Sequence, residues 1–154
     1  ERADRPYILG QPADGKGDFL RDDFTHPRHF SDARFAWNAT RRDAASLPFI
    51  GPAGSGVGLH EHSNAWNGLV FGRKRWVLLP PFEHVGPTAL PVTDWLQLWY
   101  PRQRDRAFEC VQEAGELLYV PSGYMHAVLN LQPSVGVAVE VGRDTGLRAR
   151  LLAI

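Results

Sequence analysis

From Val57 onward, short apolar runs recur, and glycine, proline or asparagine closes most of them. Val57–His62, Ala65–Phe71 and Arg75–Leu79 read as strands, the last ended by Pro80-Pro81. Gly72-Arg73-Lys74 reads as a tight turn between two of them, and Leu47–Ile50 as an earlier strand before a turn at 52–56. The pattern breaks over residues 82–107. There Thr93–Tyr100 predicts a short helix stopped by Pro101, with its tryptophans and leucines serving packing. Strands then resume at Phe108–Gln112, Glu116–Val120, Tyr124–Leu131 and Ser134–Val141. This meander of short strands predicts a mainly β barrel or sandwich with a few short peripheral helices. Residues 1–23 are polar with little periodicity and read as a loosely attached segment. Aromatics from Phe24 to Trp37 are expected to pack onto the barrel, partly as a short helix, and Thr145–Ile154 reads as helical.

Composition narrows the class. At 154 residues the chain fits one domain with a real core. Seventeen basic and seventeen acidic residues cancel, which argues against an electrostatic nucleic-acid or membrane binder. No apolar run approaches the roughly 18 residues of a membrane span. A single cysteine, Cys110, excludes an intrachain disulfide; in a strand it reads as a small core residue. The chain starts at Glu1 without Met and is expected to be a processed product or a fragment. Asn38-Ala39-Thr40 is a sequon that matters only in the secretory pathway.

Candidate chemistry rests on histidine. His60 and His62 are two residues apart, and side chains at i and i+2 of a strand share a face. His126 lies in a later strand and can supply a third imidazole if early and late strands line one mouth, as in a double-stranded β-helix. Three nitrogen donors on a rigid scaffold suit iron or zinc, whereas a 2-His-1-carboxylate triad would place Asp or Glu at His62. The alternative is a set of hydrogen-bonded histidines in a vestigial pocket. Lys74 either binds a distal carboxylate from inside the mouth or faces water as a turn lysine; spacing alone favours water. Asn67 either donates to a carboxylate or satisfies backbone groups. His26, His29 and His84 read as surface residues, the first two because Pro27 breaks a helix between them.

Three stretches carry a resemblance. They are Gly54-Ser55-Gly56-Val57-Gly58-Leu59-His60-Glu61-His62, the run from Ala65 through Gly72-Arg73-Lys74-Arg75-Trp76 to Pro81, and Gly115 through Pro121-Ser122-Gly123-Tyr124-Met125-His126 to Leu131. In order and spacing they resemble a jumonji-C (JmjC) domain, over about Phe24 to Gly142, and in particular the small single-domain group of jumonji domain-containing protein 8. The resemblance implies a cupin-like double-stranded β-helix (jelly-roll). It divides the chain into an N-terminal polar segment (1–23), a JmjC domain (24–142) and a truncated C-terminal helical segment (143–154). It implies His60 and His126 as metal ligands joined by His62, with Lys74 and Asn67 binding 2-oxoglutarate. Active members use iron(II), 2-oxoglutarate and oxygen on proteins, so a protein hydroxylase is expected rather than a histone demethylase. In this chain His62 replaces the acidic ligand, and Val57 and Ala138 stand where some members place threonine. The second expectation is therefore a catalytically impaired module that holds zinc or another divalent metal, or a protein partner. The resemblance points to the endoplasmic reticulum lumen, with the cytoplasm as alternative.

Overall fold

The computed structural model describes residues 6–10, 23–25, 27, 46–81 and 86–140. Within them the glycine- and proline-punctuated runs form short strands: β1 (Ile8–Leu9), β2 (Ser46–Gly51), β3 (Gly56–His60), β4 (Ala65–Phe71), β5 (Arg73–Leu79), β6 (Phe108–Glu113), β7 (Leu117–Val120), β8 (Met125–Asn130) and β9 (Ser134–Glu140). Helix α1 (Val92–Leu98) and two 3-10 turns, Tyr100–Arg102 and Arg104–Arg106, lie between β5 and β6. One sheet has the order β1-β2-β9-β4-β7 and the other β3-β8-β5-β6. Late strands are thus inserted between early ones, β9 between β2 and β4, and β8 between β3 and β5. This is the double-stranded β-helix, or jelly-roll, expected from the sequence. It places the His60 strand beside the His126 strand.

Alternation along the strands sorts the core. On β5, Trp76 and Leu78 turn inward and pack with Val120 and Val128. Val77 and Leu79 turn outward and, with Leu59 and Ala127, are covered by Val92, Trp95 and Tyr100 of the helical insertion. On the outer face of the other sheet, Trp66 and Val139 pack with Phe24, whose ring meets Trp66 edge-on at 5.6 Å. Phe24 thus packs on the barrel as anticipated; most of 24–37, the 145–154 helix, and His26, His29 and His84 lie outside the described residues.

Four local readings change. Gly72, at φ +95°, turns the chain by itself, and a Cβ there would stand 2.1 Å from the Pro133 carbonyl. Arg73 and Lys74 therefore begin β5 instead of completing the turn. β3 ends at His60, so His62 lies beyond the strand. Cys110 is exposed, because β6 is the edge of its sheet and only Gln112 on it is buried. Residues 8–9 of the expected loose segment pair with Ile50 and Phe49 of β2.

Trp95 is wholly buried against the outer face of β3, β5 and β8. Trp95→Ala should cost about 3–5 kcal/mol of unfolding free energy in a denaturant titration. A loss below 1 kcal/mol would mean that the helical insertion does not cover the sheet as described.

Candidate metal centre and anion pocket

β3 and β8 pair with His60 directly opposite His126. His62 follows two residues after the strand ends, in a segment held by Asn64. The Asn64 side-chain oxygen accepts hydrogen bonds from the Tyr119 hydroxyl at 2.9 Å and the Ser122 N–H at 2.8 Å. His62 thus joins the others through this anchored turn, and not through strand alternation. The ring centroids lie 4.1 Å (His60–His126), 4.5 Å (His62–His126) and 5.5 Å (His60–His62) apart. One potential ligand atom from each histidine falls within 4.8 Å of the other two.

The hydrogen bonds decide which ring nitrogens are available. His60 Nδ1 lies 2.8 Å from the Gly58 carbonyl, His62 Nδ1 2.6 Å from the Ser63 carbonyl, and His126 Nδ1 3.0 Å from the Tyr124 carbonyl. A carbonyl only accepts, so each Nδ1 donates. In a neutral imidazole that leaves an Nε2 lone pair on all three rings. Backbone carbonyls behind a histidine ligand fix both its tautomer and its orientation. Burial holds the His126 pKa down to about 3 and lowers that of His60. At neutral pH His126 is therefore a neutral imidazole and need not release a proton to bind a metal.

Trp76 stacks beside His126, with centroids 6.0 Å apart and planes at 28°. Its indole N–H donates to Gln112 Oε1 at 2.9 Å, and Gln112 Nε2 donates to the Asn67 carbonyl at 2.9 Å. This chain ties β4, β5 and β6 together behind His126. The side-chain oxygen of Asn67 is buried with no hydrogen-bond partner among the described residues.

Lys74 shares the inward face of β5 with Trp76 and Leu78 and is 0% exposed, so the water-facing reading is corrected. Its Nζ sits 3.4 Å above the Phe49 ring centroid and donates to the Tyr7 hydroxyl at 3.1 Å. Among the described residues no carboxylate pairs with it. Burial alone brings its pKa down to about 7 and raises that of the Tyr7 hydroxyl. An anion placed beside such an amine would restore its charge. Sequence reasoning missed Tyr7; the one signal was the apolar run Tyr7-Ile8-Leu9 inside a polar segment.

Residues 1–141 match the family model described as a cupin-like domain. The chain is 33% identical to the arginine-specific demethylase JMJ22 of Arabidopsis thaliana, over 88% of this chain and 31% of that protein. It is 38% identical to human JmjC domain-containing protein 8, over 75% of this chain and 44% of that one. With the bifunctional arginine demethylase and lysyl-hydroxylase psr-1 of Caenorhabditis elegans it shares 33% identity over 77% of this chain and 35% of the relative. The chain spans less than half the length of each.

The burial of Lys74 predicts a pH dependence. Between about pH 7 and 10.5 the unfolded chain binds a proton that the folded chain refuses, so the residue costs stability as pH falls through that window. Above the window both states are neutral and the cost is absent. Lys74→Met should gain stability relative to the parent by about 2–5 kcal/mol more at pH 7 than at pH 10. Denaturant midpoints that run parallel across that range would contradict a buried, unpaired amine.

Proposed function

The chain belongs to the cupin-like JmjC domains, and from that membership we propose that it is an iron(II)- and 2-oxoglutarate-dependent oxygenase that hydroxylates a protein side chain. The observation that carries the reading is the pairing of two features on one barrel interior. Three imidazoles with free Nε2 atoms converge at the mouth, and a buried amine with no carboxylate partner among the described residues lies deeper, on the inward face of β5. The relatives named for arginine demethylation and lysyl hydroxylation support a protein substrate.

In this reading Nε2 of His60, His62 and His126 holds the metal, and the carbonyls of Gly58, Ser63 and Tyr124 keep the rings aimed. The Lys74 ammonium and the Tyr7 hydroxyl receive the distal carboxylate of 2-oxoglutarate, with Asn67 lining the same pocket. Trp76, Leu78, Val120 and Val128 exclude water from the inner wall. When bound, the iron and cosubstrate supply the activation of dioxygen that converts a substrate C–H to C–OH.

One observation favours a second reading, a module that holds zinc or another metal, or a protein partner, without turnover. The donor set is neutral, because His62 occupies the place of an acid. Interior positions near the pocket also lack hydroxyls: Ala138 opposite Asn67, and Val57 on β3. Each lost hydrogen bond to a charged group removes about 1.5–3 kcal/mol.

Anaerobic addition of iron(II) and then 2-oxoglutarate should give a visible charge-transfer band in the parent and none in His60→Ala. The band should weaken in Lys74→Met. Absence of the band in the parent, with zinc bound instead, would sink the oxygenase and leave the second reading. Turnover that appears only in His62→Asp would do the same.

A further inference from the structure

Three imidazoles bring no negative charge to a divalent ion, yet one carboxylate stands at the same mouth. Glu140 is the last residue of β9. Val137 and Val139 pack with Trp66 on the outer face, so alternation turns Gly136 and Ala138 inward and leaves Glu140, exposed at the strand's end, on the side of the mouth. Gly136 confirms the direction: a Cβ there would meet the ring of Phe49, the ring beneath the Lys74 amine. From that deep end β9 runs past Ala138, opposite Asn67, to Glu140, opposite Ala65.

The carboxylate lies outside the group formed by the three histidines and is linked to it through Ser63. Glu140 Oε2 accepts a hydrogen bond from Ser63 Oγ at 3.2 Å, and the Ser63 carbonyl accepts the His62 Nδ1 proton. The charge of Glu140 also acts on the His60 imidazole. Among the described residues no lysine or arginine forms an ion pair with Glu140. Among the described residues its one hydrogen bond is exposed and comes from a neutral hydroxyl, so little holds it where it lies.

Resting on the metal-centre reading, we propose that Glu140 is the anionic fourth donor of the three-histidine centre, its carboxylate swinging from Ser63 Oγ onto the ion. Carboxylate oxygen is a normal partner of imidazole nitrogen on zinc and iron. It would halve the formal charge of a divalent ion set against the buried His126. The negative ligand missing from the two-residue histidine motif would then come from the far end of the opposite sheet.

The test uses cobalt(II) as the probe, added to metal-free protein and followed by calorimetry and by visible absorption. Glu140→Gln should lose at least about tenfold in cobalt affinity, and its d–d bands should change shape. Glu61→Gln, which removes an exposed and screened charge between the two histidines, should stay within about threefold of the parent. Ser63→Ala, which frees the carboxylate, should bind cobalt at least as well as the parent. Parent-like affinity and bands in Glu140→Gln would overturn the inference while leaving the three-histidine centre standing. A loss in Ser63→Ala equal to that in Glu140→Gln would also overturn it, by showing that Glu140 acts only through the turn at His62. Failure of the parent to bind cobalt would overturn both this inference and the metal centre.

Discussion

The candidate site depends on main-chain carbonyls that take the Nδ1 protons of three imidazoles. Gly58, Ser63 and Tyr124 each present one carbonyl to a histidine one or two residues away. Because these bonds are local, each ring is aimed by its own stretch of backbone. The sheet order then has only to bring the stretches together. It does so by placing β8 between β3 and β5, with His60 facing His126 across the ladder. A barrel with sequential strand order would leave the same histidines correctly aimed and far apart.

Charge is distributed along the interior in a way that a purely structural core would avoid. Burial disfavours the charged forms of His126, His60 and Lys74 alike. At the mouth this yields neutral lone pairs suited to a cation. Deeper in, it yields an amine near half-protonation at neutral pH, set over Phe49 and beside Tyr7. The buried amine costs stability, and a bound anion would offset that cost. An anion bound at Lys74 would therefore link ligand binding to folding stability.

Much of the fold was legible because strand-length apolar runs and their glycine and proline breaks are local signals. β4 matches its expected bounds, and β5 and β8 differ only at their ends. His60 and His126 were legible as candidates for the same reason: each sits at or within an apolar run. The strand argument for His62 does not apply, since β3 stops at His60 and the anchored turn at Asn64 brings the ring in. Lys74 was misjudged on spacing because a flanking arginine on each side resembles a solvated turn, whereas Gly72 had already completed that turn. Tyr7 reaches the interior, and Glu140 the exposed rim beside the histidines, only through long-range pairing of β1 with β2 and of β9 with β4, and no local pattern announces either. Cys110 was placed inside by residue type, yet edge position decided its exposure.

The central claim is that the three Nε2 atoms, and not the Nδ1 atoms, form one metal site. The most direct measurement is anomalous scattering from crystals grown with cobalt(II), collected on both sides of the cobalt edge. The account predicts a single strong peak about 2.0–2.2 Å from Nε2 of His60, His62 and His126. A peak bound through any Nδ1, or no peak among the three rings, would contradict it.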